Sequence, residues 1–191
     1  MSIRKIYKYP APVLRQPTEK ITTFDDSLAS LVQDMAETMY DAPGIGLAAP
    51  QIGESVKLVV VDTSEDKAEL SSLSTQTKLI PLRYKEEERR FLPMVNPEII
   101  AHEGTQVDEE GCLSVLDLTA SVKRHKKITV AYQDLQGQPQ ELTTENRFAV
   151  VLQHEIDHIN GILFIDHLSP LKRALYKKKV KKWQHEEEPD Q

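Results

Sequence analysis

The 191-residue chain has one cysteine, Cys112, so no disulfide can close within it. A lone thiol suits a reducing compartment and leaves the sulfur free for chemistry or a metal. Long apolar runs are missing as well. Stretches such as Leu58 to Val61 are far too short to cross a bilayer, and "MSIRKIYKYP" at the N-terminus lacks the apolar centre of a signal peptide. A cytoplasmic location without membrane association is the expectation. Nor is there an excess of positive charge. A formal net charge of -6 argues against a general nucleic-acid coat protein, and no direct sequence-specific nucleic-acid binding is expected.

What remains is an ordinary globular composition, with 39% hydrophobic and 28% charged residues. The length fits one domain, 1–191, with a real core. Between Asp26 and Tyr40 the apolar residues Leu28, Leu31, Val32, Met35 and Met39 fall on one helical stripe. The breaker "DAPG" ends it. "GIGLAAPQIG" then reads as a shaped loop or sheet edge, and "SVKLVVVDT" as a buried strand. The stretch 63–90, with its charge run "YKEEERR", reads as a long solvated surface loop. "MVNPEIIAHEG" is a strand, and "KKITVAYQDLQGQPQELTTE" a hairpin turning near Gln136-Gly137. A helix over Asn146–Asn160 has apolar residues all around it, the mark of a buried helix, with Gly161 placed to end it. A last helix, about Pro170 to His185, puts Leu171, Leu175, Val180 and Trp183 on one side and leads into a charged tail, so that 170–191 is helix plus tail. Strands in runs with separate helices indicate an α+β fold.

The chemistry is concentrated in "QHEIDHINGILF", Gln153 to Phe164. His154 and His158 are four apart, so on a helix both imidazoles leave the same face and can share one divalent ion. Glu155 lies roughly 100° round the helix from His154, within reach of a water on that ion without ligating it. Two histidines and a glutamate inside an apolar helix are costly to bury without a partner. A catalytic site of this kind takes three protein ligands and leaves one position open. One large group of zinc proteases supplies a third histidine where this chain has Phe164. Asp166 and His167 follow the helix end, and Glu186 to Glu188 lie in the tail. Cys112, in "EEGCLSV", is the favoured third ligand.

"GIGLAAPQIG", "EGCLS" and "QHEIDH" stand in the order of the three motifs of the peptide deformylases, and the similarity extends over most of the chain, including "LFIDHLSPLKR". The chain resembles that family. The resemblance implies a mixed α+β domain with antiparallel sheets around the buried motif helix. It also implies a hydrolase that removes the N-formyl group from the N-terminal methionine of nascent peptides. The metal would be Fe²⁺, with Zn²⁺ or Ni²⁺ able to occupy the site; one thiolate and two imidazoles suit all three.

The resemblance assigns Glu155 as general base. Gln51 and the backbone N–H of Leu113 become donors to the oxyanion. Ile45 and Gly46 would pair with the extended peptide, and Gly44 and Gly46 would allow its close approach. Val150 and Val151 would either wall a pocket for the methionine or belong to the plain core. Glu110 is expected to pair with Arg124. Leu116 stands where the family commonly has proline, and Thr119 where many members place a substrate-holding arginine. The stretch 63–90 is longer than this region usually is in the family. Basic residues of the last helix, Lys172, Arg173, Lys177, Lys178, Lys179, Lys181 and Lys182, suggest a ribosome contact. The rival readings are a general zinc endopeptidase and a fold stapled by a structural, four-coordinate metal.

Overall fold

The structure is a computed structural model that describes residues 2–63, 79–84 and 87–187. The first amphipathic stripe forms α1 (Asp26–Asp41). Its start is fixed by Asp25, whose carboxylate accepts from the backbone N–H groups of Ser27 and Leu28. "GIGLAAPQIG" divides into a short strand β1 (Gly46–Ala48) and a 3₁₀ turn, Ala49–Ile52, closed by Gly53 at φ 91°. Seven more strands follow: β2 (Leu58–Asp62), β3 (Ile80–Tyr84), β4 (Glu87–Glu103), β5 (Gln106–Cys112), β6 (Val115–Arg124), β7 (Lys127–Gln133) and β8 (Pro139–Glu145). The motif helix α2 (Asn146–Ile159) and the last helix α3 (Pro170–Glu187) complete the order.

The antiparallel order β1-β2-β4-β7-β8, with β3 added on β4, makes one sheet; β5 and β6 pair separately as a hairpin. Both faces of the large sheet are covered, which is why β2 reads as an unbroken apolar run. Val59 and Val61 face α2 in one cluster with Leu92, Met94, Phe148, Leu152 and Ile156. Leu58 and Val60 point the other way, into a cluster with Val32, Met35, Met39 and Phe91. Each such fully buried side chain contributes about 1.5–3 kcal/mol. A third cluster joins Val115 and Val122 of the hairpin to Leu163, Phe164, Ile165, Tyr176 and Val180. It is this cluster that seats the Cys112 hairpin against α3 and the segment that follows α2.

Two expectations need correction. The stretch 63–90 is not one surface loop: Ile80–Tyr84 pairs with the start of β4 in regular register, Ile80 opposite Phe91 and Tyr84 opposite Glu87. Glu87, Glu88, Arg89 and Arg90, which open β4 opposite β3, lie at a sheet edge, where charge is tolerated and blocks further pairing. The part 64–78 lies outside the described residues. On α3, Leu171 and Leu175 do not share the inner face, being 71% and 60% exposed. The buried side is Tyr176 and Val180, with Trp183 partly covered. Among the described residues, no helix is long and apolar enough to cross a membrane.

Candidate functional site

A cleft of about 420 Å³ opens between β1, the end of β5 and one side of α2. Gly44, Ile45, Gly46, Gln51, Cys112, Leu113, Val150, Val151, His154 and Glu155 all line it. His158 lies behind, buried at the floor. Residues as far apart in sequence as Gly44 and Glu155 thus meet on one surface. Period four on α2 brings the two imidazoles together, with ring centroids 5.0 Å apart. The hairpin delivers the sulfur, with Cys112 Sγ 3.2 Å from His158 Nε2.

The donor atoms of Cys112, His154 and His158 lie within 4.8 Å of one another. One divalent ion can span that spacing with small side-chain shifts, since Zn–N and Zn–S bonds run about 2.0–2.3 Å. A second observation fits an ion. Among the described residues, two buried side-chain atoms lack a hydrogen-bond partner: Glu155 Oε2, beside these donors, and His158 Nδ1, on the side of its ring away from the sulfur. Unpaired buried polar atoms of this kind are rare away from functional sites.

His154 is held from behind. His154 Nδ1 is 2.8 Å from Glu110 Oε2, which leaves its Nε2 for the metal side. Glu110 in turn receives two bonds from Arg124, at 2.7 and 3.0 Å. Arg124 also donates to Asp157 at 2.6 Å, and Asp157 meets His167 at 2.7 Å. The expected Glu110–Arg124 pair is therefore the buried part of a longer chain that reaches the surface at His167. Phe164, in place of a third histidine, stacks on the His154 ring with centroids 6.0 Å apart.

Electrostatics match this arrangement. Burial works to lower the His154 pKa, but bonds to the Cys112 sulfur and Glu110 outweigh it and raise it well above the usual histidine range. That records strongly negative surroundings, the setting a cation would meet. Burial drives the His158 imidazole well below its usual range, so it stays neutral, as a ligand must be. Burial also pushes the Glu155 carboxyl up to about 7.

On the opposite wall, Gln51 is buried and its side-chain orientation is fixed. Its Oε1 accepts from the Ala48 N–H at 2.8 Å, which turns Nε2 toward Ser114 Oγ at 3.2 Å and the Cys112 sulfur at 3.7 Å. A Cβ on Gly46 would collide with Glu155 Oε1, and one on Gly44 would come within 2.8 Å of Leu113 Cδ1. Only glycine lets this segment lie so close. Thr119 packs beside Gly111 and faces a groove under α3 rather than the cleft. Arg147, in the first turn of α2, is the arginine that lines the cleft, with its Nη1 2.9 Å from Asp108.

Sequence reasoning did not foresee the Glu110–His154 contact, Arg147, or the roles of Asp157 and His167. For Arg147 a signal existed, because it precedes Val150 and Val151 by one helical turn. For Glu110 and His154, 44 residues apart, none did.

Comparison with known proteins gives a consistent result. A family model described as polypeptide deformylase matches residues 3–174. A peptide deformylase of Desulfotalea psychrophila is 60% identical over 96% of this chain and 98% of its own. One of Acidobacterium capsulatum is 45% identical over 96% and 97%. A crystal structure of a Legionella pneumophila peptide deformylase superposes with a TM-score of 0.78 at 43% identity, covering 98% of this chain and all of that one. An Ehrlichia chaffeensis structure gives 0.79 at 32% identity, covering 97% and 99%. With its three motifs converging on one cleft and its length matched throughout, the chain belongs to the peptide deformylase family, whose members are metal-dependent hydrolases.

Proposed function

We propose that residues 1–191 act as one catalytic domain, removing the N-formyl group from the N-terminal methionine of newly synthesised polypeptides and releasing formate. The observation that carries this reading is the convergence of a thiol and two imidazoles beside an unpartnered, buried carboxylate oxygen on Glu155. A divalent ion held by Cys112, His154 and His158, Fe²⁺ by preference with Zn²⁺ or Ni²⁺ acceptable to the same donors, supplies the Lewis acidity of the site.

The chain's own groups do the rest. Glu155, with a pKa near 7, takes a proton from the attacking water at Oε2 and returns it to the departing amine. Gln51 Nε2 and the Leu113 N–H donate to the oxyanion that forms as the formyl carbon becomes tetrahedral. Losing one such donor typically costs about 3–4 kcal/mol of transition-state stabilisation. β1 is the terminal strand of its sheet and is paired on one side only, by β2. Ile45 and Gly46, at its start, therefore offer backbone groups to an extended peptide, and Gly44 and Gly46 allow its close approach. Val150 and Val151 provide apolar wall for the methionine side chain. The protein works in the cytoplasm, away from membranes and without reading nucleic-acid sequence, and meets its substrate at the ribosome through the basic face of α3.

The test is a formate-release assay on formyl-Met peptides with ferrous-loaded protein purified anaerobically. Glu155→Gln is expected to keep its metal while turnover falls about 10²–10⁴-fold, the usual worth of a general base. Full turnover by that variant removes Glu155 as the base. No formate from the loaded wild type overturns the whole reading.

A further inference from the structure

Residues Tyr7, Lys8 and Tyr9 run between the two loops that carry Gln51 and Cys112. The Tyr7 N–H donates to the Gln51 carbonyl, and the Tyr9 N–H to the Ser114 carbonyl, each at 2.7 Å. Between these anchors the Lys8 ammonium donates to the Leu113 carbonyl at 2.5 Å. That carbonyl and the Ser114 N–H are the two ends of one peptide group. The Ser114 N–H donates to the Cys112 sulfur at 3.3 Å. A cation on the oxygen of a peptide group polarises it and makes its N–H a stronger donor. Lys8 is also near enough for direct attraction: burial lowers its pKa and the Cys112 sulfur opposes that shift.

We propose that Lys8 is a positioning residue for the sulfur ligand, acting through the Leu113–Ser114 peptide group to strengthen the N–H···S bond on Cys112. This rests on the reading of Cys112 as a metal ligand. The strap places and electronically tunes the thiolate through a contact between residues 105 positions apart, Lys8 and Leu113, and Lys8 touches neither metal nor substrate. A strengthened N–H···S bond withdraws charge from the sulfur and fixes its lone pairs, which favours one geometry at the ion.

The experiment loads full-length protein with Co²⁺ and reads its thiolate-to-cobalt absorption band together with the rate at which a chelator removes the ion. Lys8→Met keeps the length of the side chain without its charge. It is expected to move the band to longer wavelength, as the sulfur regains charge, and to change the rate of cobalt release about tenfold, the lower end of what outer partners of metal ligands contribute. Lys8→Arg is expected to restore both. Should Lys8→Met fail to fold, Lys8→Gln carries the same comparison. An unmoved band and unchanged release in the charge-free variant overturn the proposal, even if melting is lowered, because a purely structural strap would change stability alone. A wild-type protein with no thiolate band at all removes the metal reading itself, an outcome separate from failure of the Lys8 argument.

Discussion

Glu110 is shared between a guanidinium and an imidazole, and this sharing governs its charge. Burial by itself would raise the pKa of the Glu110 carboxyl, but its bonds to His154 and Arg124 prevail and hold it down at about 2. A buried carboxylate of this kind tolerates no loss of partner. Arg124→Leu is expected to destabilise the fold by about 3–5 kcal/mol, the usual cost of leaving one half of a buried pair uncompensated. Urea unfolding monitored alongside metal content checks this, and an unchanged midpoint with full metal rejects it. At this scale the sequence was legible where a local period or a motif decides. The common face of His154 and His158 follows from helix geometry, and so does the place of Glu155 about 100° round from it. The Lys8 contact was not legible, since its acceptor is a backbone carbonyl and any residue type would have supplied one.

Elements were legible where an apolar period had no competitor, as in α1 and the β7–β8 hairpin. They were misread where charge or an ambiguous stripe intervened. β3 and the start of β4 are rich in Glu and Arg, poor strand formers that suit a sheet edge for that very reason. α3 carries two apolar stripes, and nothing local says which one packs. The contact that decides is Tyr176, whose hydroxyl donates to the Leu116 carbonyl at 3.0 Å. Thus the residue that departs from the family pattern meets α3 through its backbone, and its side chain is free to vary. Burial, helped by the Cys112 charge, pushes the Tyr176 pKa up from 10.0 to about 12. A raised phenol favours the folded state while neutral. Its contribution is therefore intact below pH 10 and lost as pH rises toward 12. α3 is expected to loosen across that window. Trp183, whose ring stands edge-on to Tyr176 with centroids 6.5 Å apart, reports it by fluorescence. A Tyr176→Phe protein should show no step there, and an identical step in both proteins would exclude Tyr176 as the cause.

Across the whole molecule, charge is unevenly spread. The chain is net negative, at -6, yet the outer face of α3 presents Lys177, Lys178 and Lys181 to solvent. Docking to phosphate-rich ribosomal surface through that face should weaken steeply with added salt. Deleting α3 would be a poor test, because Tyr176 and Val180 help seat the Cys112 hairpin. Charge reversal at Lys177, Lys178 and Lys181 leaves that seat alone. It is expected to abolish cosedimentation with ribosomes at low salt while formate release from short peptides persists; undiminished cosedimentation would exclude this face.

The way the cleft is assembled sets a condition on its birth. The sulfur comes from one hairpin and the imidazoles from a helix made later, with Cys112 and His158 46 positions apart. A copy of this chain still being translated has the thiol before it has anything to share an ion with, and the floor of the cleft closes only when Leu163 to Ile165 and Tyr176 pack on the hairpin. A copy cut short before Tyr176 therefore carries the thiol without all of the packing that seats it.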